Sequence, residues 1–378
     1  MNARLRPVIE YLEQHVIPYT VDTWRNFSGS IGAPNTLIIQ VSHEQELCDV
    51  VRIIHAINQN HQGELITIRA AAGHATILST ASCCFFPWPR QQQRLYGAAS
   101  YSFTELTIAD VVIQFSVNFQ RVRKIRELAS THEHDNPPTA IVEVTAGVQF
   151  AQLPKYLDRM GLALSTAPMI AWVTLVGLAG TGGHGTGQRE QAFSGLIESM
   201  RICDMTGSIR TIDRGDPNFA TFCSAHAGLL GIVLSMQIRA VGAFKLEETI
   251  HLFDNPHDLQ AALPGLLHEN DYFTLMQVPT YTDNHTPTYQ IRLWNKTERP
   301  NTPHIEPAFQ PNFASFLQQV EIAVGGTIQD YLVSPSLKRL LPTFMRWAAA
   351  FLMGSRGTAT HVGNASPDIS SKKWWKSK

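Results

Sequence analysis

Between residues 180 and 187 the chain reads Gly180-Thr181-Gly182-Gly183-His184-Gly185-Thr186-Gly187, and this run constrains the fold more than any other feature. Five glycines in eight positions, against 25 in 378 for the whole chain, is about a tenfold enrichment. Without Cβ atoms in the way, consecutive peptide N–H groups can converge on one guest, an anion or a flat polar ring, and pyrophosphate is the commonest such guest. The run is not a phosphate loop of the Gly-Lys-Ser/Thr kind, and its spacing is not that of G-x-G-x-x-G before a helix. The competing reading is a flexible loop. The apolar approach Val173-Thr174-Leu175-Val176-Gly177-Leu178-Ala179 argues instead for a buried loop, in which a side chain added at Gly182 or Gly185 would take up ligand volume.

Around this run the chain reads as an ordinary globular protein. At roughly 100–200 residues per domain, 378 residues suggest two domains, or one with an appendage. Hydrophobic residues at 44% and charged residues at 16% exclude extensive disorder. With 30 Lys+Arg against 31 Asp+Glu, the net charge of -1 gives no field for phosphate backbones or acidic lipid, so no nucleic-acid partner is expected. The five cysteines, Cys48, Cys83, Cys84, Cys203 and Cys223, have no CxxC spacing and are odd in number. Neither a disulfide framework nor a zinc site is indicated, and a reducing, cytoplasmic setting is expected. The N-terminus lacks the uninterrupted apolar core of a secretory signal, so the mature chain is expected to start there. Leu340 to Met353, interrupted by Pro342 and Arg346, falls short of the roughly 20 residues a membrane span needs, so no transmembrane segment is expected.

Periodicity then orders the elements. Leu37 to Val41 is β-rich, and Ser42 with Gln45 forms a capping box before a helix carrying Leu47, Val50, Val51, Ile54 and Ile57 on one face. Leu65 to Arg69 is a second strand, giving a β-α-β opening that runs into the small residues Ala70-Ala71-Ala72-Gly73-His74. Val111 to Val117 and Ala140 to Val144 are further strands, and Leu153, Tyr156, Leu157 and Met160 line a helix stopped by Gly161. Met205-Thr206-Gly207 turns a hairpin, Asp216-Pro217 opens a helix from Asn218 to His226, and Gly231 to Ala240 is a long strand. From about residue 246 the pattern changes: Asn255-Pro256 caps a helix, and Tyr272 to Val278 with Thr288 to Trp294 form a strand pair. The triplet His132-Glu133-His134 sits in a Pro-flanked loop without a third convergent ligand, so it reads as surface and no metal is expected.

Gly73-His74, directly behind a strand, is the second chemical signal. A lone histidine is usually structural, yet neutral imidazole is also a nucleophile near its ordinary pKa, suited to covalent attachment of an electrophilic cofactor.

The segment from Thr174 to Gly187 resembles the flavin-binding stretch of the vanillyl-alcohol oxidase (PCMH-type FAD-binding) family, in its branch of sugar-1,4-lactone oxidases, such as D-arabinono-1,4-lactone oxidase, and alditol oxidases. Trp24 to Gly29, Ile68 to His74, Glu143 to Gly147, Gly228 to Val233, Val278 to Asp283 and Leu293 to Thr297 agree with it in order. The resemblance implies an α+β fold: a two-subdomain FAD-binding module over residues 1–245 followed by an incomplete substrate cap over 246–378. It further implies that FAD lies against Ala71, Ala72, Gly73, His74, Ala75 and Thr76 through its pyrophosphate. The flavin then lies beside Thr174, Gly177, Thr181, Gly182, Gly183, His184, Gly185, Gly187 and Ile232, and His74 is the candidate for a covalent bond to the flavin. Ala71 and Ala75 depart from the family's Gly-x-Gly-His-Ser, removing one hydroxyl donor.

The implied function is an FAD-dependent oxidoreductase that oxidises the carbinol of a small polyol or sugar lactone by hydride transfer to flavin N5, with O2 or another acceptor taking the electrons. No residue of the sequence is singled out as catalytic. Family members carry a late His-Trp-Gly/Ala-Lys motif over the flavin, and nothing through the basic tail to Lys378 matches it. About a quarter of the family's layout is therefore expected to be missing, and the alternative is a flavin-binding remnant or binding protein without turnover.

Overall fold

A computed structural model describes residues 3–25, 31–61, 63–71, 108–128, 139–168, 173–223, 225–281, 287–300 and 359–364. His74 and its neighbours from Ala72 to Thr76, Cys83 and Cys84, the His132-Glu133-His134 triplet and the Leu340 to Met353 segment lie outside the described residues.

The first layer is built on helix α1 (Arg6–Gln14), strands β1 (Tyr19–Arg25) and β2 (Gly32–Val41), helix α2 (Glu44–Gln59) and strands β3 (Ile68–Ala71) and β4 (Val111–Phe115). Its strands run in the order β1-β2-β4-β3, with β2 and β3 both parallel to β4. The β-α-β opening is therefore present, with β4 inserted between its two strands. Leu47, Val50, Val51 and Ile54 of α2 are buried against Leu37, Ile39, Val111 and Ile113, as the apolar stripe requires.

The cap of α2 is one residue later than the sequence suggests. Glu46 Oε2 accepts from the amides of Ser42 at 2.6 Å and His43 at 3.1 Å, while Gln45 donates instead to Asp49. A carboxylate beside free N–H groups at a helix start is the stronger acceptor and wins the position. Strand β3 also begins later than expected. The Asn58 side chain bonds both the N–H and the C=O of Ile66, and Asp110 takes the N–H of Thr67, so these backbone groups are satisfied before the ladder starts. The strand then extends to Ala71. Similarly, β4 stops at Phe115, because Ser116 Oγ accepts from Asn118 N and turns the chain away.

The second layer comprises β5 (Val122–Glu127), β6 (Ala140–Thr145), helix α3 (Leu153–Asp158), β7 (Leu162–Ala163), helix α4 (Leu175–Gly180), β8 (Ile197–Cys203), β9 (Ile209–Asp213), helix α5 (Phe219–Cys223) and β10 (Ile232–Gly242). Its antiparallel sheet runs β5-β6-β10-β8-β9, with β7 pairing to β10. Gly207, with φ +78°, makes the β8–β9 turn, and Gly161, with φ +67°, ends the α3 segment. The two layers are joined by a bidentate ion pair, Arg201 of β8 to Glu44 of α2 at 2.7 and 2.8 Å.

A third sheet, β12-β13-β11-β14, is formed by β11 (Lys245–Phe253), β12 (Tyr272–Tyr281), β13 (Pro287–Thr297) and β14 (Ala359–Asn364). Helix α6 (Pro256–Glu269) joins β11 to β12 and packs against β11 and β13. Asn255 Oδ1 accepts from His257 N at 2.9 Å, the cap that Asn255-Pro256 announces. Among the described residues no helix is long and apolar enough to cross a membrane, and no cluster of His, Cys, Asp and Glu suits a metal ion.

Candidate functional site

The apolar approach to the glycine run is a helix. Thr174, itself buried, caps α4 by accepting from Gly177 N through Oγ1 at 3.1 Å, and Val176 packs against the cores of both layers. Ile232, at the start of β10, is buried in the first of those cores, which places it beside the same helix. Two expected site residues, Thr174 and Ile232, are both buried. Gly177 itself is exposed on α4.

Beyond α4 the run differs from the expected buried loop. Thr181, Gly182 and His184 are exposed, and Gly183, Gly185 and Gly187 are half-buried. Its start is fixed by its own backbone: Gly182 N donates to Ala179 O and Gly183 N to Leu178 O, with Gly182 at φ +73°. Its end is fixed by the third sheet, since Phe273 N donates to Thr186 O at 3.0 Å and Gln188 N to Asp271 O at 3.1 Å. Between these anchors, the amides of His184, Gly185, Thr186 and Gly187 donate to no acceptor among the described residues. These four N–H groups, without an internal acceptor among the described residues, are open to an acceptor from outside the fold.

The glycines are required for two separate reasons. A Cβ at Gly185 would overlap Thr166 Oγ1 and stand 2.8 Å from both the N and the O of Ala167, so the protein itself occupies that volume. At Gly182 a Cβ would meet only Ala225 Cβ at 3.3 Å, and there the left-handed φ is what excludes side chains. The ligand-volume argument thus does not hold at Gly185. Gly187 faces Tyr272, whose Cε1 would lie 3.0 Å from an added Cβ.

Three buried hydroxyls nearby and in the third sheet find no partner among the described residues: Thr166 Oγ1, Tyr272 Oη and Thr274 Oγ1. Such a group costs roughly 1–3 kcal/mol when left unsatisfied. The sequence reading missed all three, and only the period-2 pairing of Tyr272 with Thr274 hinted at a shared face. Burial, with the nearby charges of Glu190 and Asp271, pushes the Tyr272 phenol well above its ordinary value and keeps it a neutral donor.

His226, also missed, lies against this segment. An added Cβ at Gly180 would be 3.3 Å from its ring, Ala227 N donates to Gly180 O at 2.7 Å, and His226 Nδ1 accepts from Gly228 N at 3.0 Å. Burial lowers its pKa, so the neutral ring persists. The helix expected from Asn218 to His226 is correspondingly shorter. It ends at Cys223, and Ala227 at φ 50° and Gly228 at φ 72° turn the chain under Gly180.

Ala71, the first of the expected pyrophosphate residues, ends β3 opposite Gln114 and is buried with Trp24, Ala109 and Val112. The residues that would follow it in that loop, His74 included, are not described. The residues present fit FAD at the other end of the site. The amides of residues 184–187, unpaired among the described residues, are donors such a cofactor would need.

Residues 93–213 match the model of an FAD binding domain family. The chain is similar to L-gulonolactone oxidase of Bos taurus, 30% identical over 154 residues, covering 39% of this chain and 34% of the relative. It is also similar to L-gulono-1,4-lactone dehydrogenase of Mycobacterium tuberculosis, 26% identical over 251 residues, covering 65% of this chain and 54% of the relative. A D-arabinono-1,4-lactone oxidase of Saccharomyces cerevisiae is 26% identical over 140 residues, 37% of this chain and 26% of the relative. The chain thus spans between about a quarter and a half of the length of these curated relatives. In fold it is similar to cholesterol oxidase from Brevibacterium sterolicum, with a TM-score of 0.61 at 13% identity over 93% of this chain and 62% of that one. A solvent-stable cholesterol oxidase gives a TM-score of 0.62 at 17% identity over 94% of this chain and 63% of that one. These likenesses show a PCMH-type FAD-binding fold, α+β in class.

Proposed function

We propose that this chain, a relative of the sugar-lactone oxidases of the PCMH-type FAD-binding family, binds FAD and oxidises a carbinol of a sugar lactone or related small polyol. In this reading residues 1–245 hold the cofactor and residues 246–378 begin a substrate cap. FAD, when bound, supplies the hydride acceptor at its N5. The chain's own residues bind and orient: the amides of His184, Gly185, Thr186 and Gly187 donate to the cofactor, Thr174 fixes the helix leading to them, and Ile232 lies beside that helix. The single observation that carries the reading is that row of four amides, which with the buried Thr166 hydroxyl find no partner among the described residues. The loop from Ala71 to Thr76 takes the pyrophosphate, and His74 is the candidate for covalent attachment. Oxygen or another acceptor removes the electrons. The buried free thiols of Cys48, Cys203 and Cys223 are compatible with the cytoplasmic, reducing setting of this reading.

The test begins with colour. The purified full chain is expected to carry flavin absorbance that bleaches when L-gulono-1,4-lactone is added without oxygen. A yellow chain that no lactone or polyol bleaches would mark a flavin-binding protein without turnover, and a chain that takes up no FAD would overturn the reading. If His74 bears the flavin, acid precipitation leaves the colour with the polypeptide, and His74→Ala releases it. Complete release from the unaltered chain would reject covalency alone.

A further inference from the structure

We propose that the inner face of the third sheet recognises the hydroxyl groups of a polyhydroxylated substrate, with Thr274 and Gln290 as specificity-determining residues. The inference rests on the flavin reading above and assigns residues to its substrate side.

Residues directly opposed in an antiparallel ladder share a face. The register aligns Glu248, Trp294 and Tyr272 in one row, Thr274 and Arg292 in the next, and Gln290 in a third on the same side. Ile291 and Leu293 alternate with these on the opposite face and are buried as an apolar side should be. The first face has a different composition. Its apolar edge, Leu246, Tyr272 and Trp294, forms one cluster; beyond it Ile250, Leu252 and Met276 share the face with the buried polar groups Glu248, Thr274 and Gln290, each at most 9% exposed. Arg292 donates to Glu248 Oε1 at 3.3 Å and to Gln290 Oε1 at 3.2 Å. That leaves the Gln290 amide nitrogen without an acceptor, and Thr274 Oγ1 without any partner, among the described residues.

Set between these apolar residues, the unpaired Thr274 hydroxyl and Gln290 amide are donors that a ligand rich in oxygen satisfies. Its position matches that role. Tyr272 is bridged to Gly187, so the face begins at the end of the candidate flavin segment. Thr274 lies two residues further, about 7 Å along the strand on the same face. A sterol, the substrate type named for the structural relatives, would require the reverse, an apolar wall in place of Glu248, Gln290 and Arg292.

The test uses the full chain with FAD and reads lactone binding from the change in flavin absorbance. The probes are L-gulono-1,4-lactone and γ-butyrolactone, which shares the ring without the hydroxyls. Thr274→Val and Gln290→Leu are each expected to weaken binding of the hydroxylated lactone by about 3- to 10-fold. Flavin content, melting temperature and the response to γ-butyrolactone should stay unchanged, and Thr274→Ser should restore wild-type affinity. Wild-type affinity in both Thr274→Val and Gln290→Leu would overturn the assignment, as would equal loss with both probes or a failure of the unaltered chain to discriminate them. Flavin content is measured separately, so loss of FAD binding indicts the flavin reading and leaves a distinct result from loss of lactone discrimination.

Discussion

Gly185→Ala is the sharpest test of how the glycine run is held. The new methyl would overlap Thr166 Oγ1 and stand 2.8 Å from Ala167 N and O. Thr166 is 2% exposed, so its hydroxyl has nowhere to swing, and the backbone of Ala167 cannot change rotamer. Overpacking of this kind costs roughly 1–3 kcal/mol. At about 2–4 °C per kcal/mol for a mid-sized cooperative unit, the FAD-free chain should melt roughly 2–12 °C lower. Gly182→Ala provides the contrast: its cost, roughly 1–2 kcal/mol, comes from a left-handed φ of 73° and not from a neighbour. Adding Thr166→Ala removes the worst overlap at Gly185. The pair should therefore show a coupling of about 0.5–3 kcal/mol, whereas Thr166→Ala and Gly182→Ala should be additive. Thermal melts of the single and double variants without FAD, with flavin-fluorescence titrations beside them, give all the terms. The reasoning fails if Gly185→Ala melts and binds FAD like the unaltered chain, or if Thr166→Ala rescues both glycine variants equally.

Two further outcomes follow from the same geometry. Thr174→Val removes the Oγ1 that accepts from Gly177 N, and should lower stability by about 1 kcal/mol and weaken FAD binding, with Thr174→Ser close to wild type in both melts and titration. Because burial lowers the His226 pKa in the folded chain, the unfolded chain binds the more protons as the pH drops. Stability should be flat above the ordinary value of 6.5 and fall as the pH is lowered through it. His226→Asn, which can still accept from Gly228 N, should flatten that acid limb in a series of melts. An acid limb as steep as in the unaltered chain would remove His226 as its cause.

The sequence by itself determined the elements whose causes are local. The stripe from Leu47 to Ile57 makes α2, Gly207 makes its turn, and Asn255 caps its helix, because each depends on residues within a few positions of one another. Motif order in the same way carried the flavin resemblance. Boundaries set by distant partners were not legible: β3 starts at Ile68 because Asn58 and Asp110 satisfy the backbone before it. The same limit hid why Gly185 must be glycine, since Thr166 lies 19 positions away in the chain and meets it only after folding. Tertiary structure alone also brought Tyr272 to Gly187 and gathered Glu248, Thr274, Gln290 and Arg292 onto one face, from three strands whose register no local pattern fixes. Propensity and spacing act over a turn of helix or a hairpin. The pairing of hydroxyls, amides and carboxylates across sheets is decided by which surfaces pack, and that is where this protein's candidate chemistry lies.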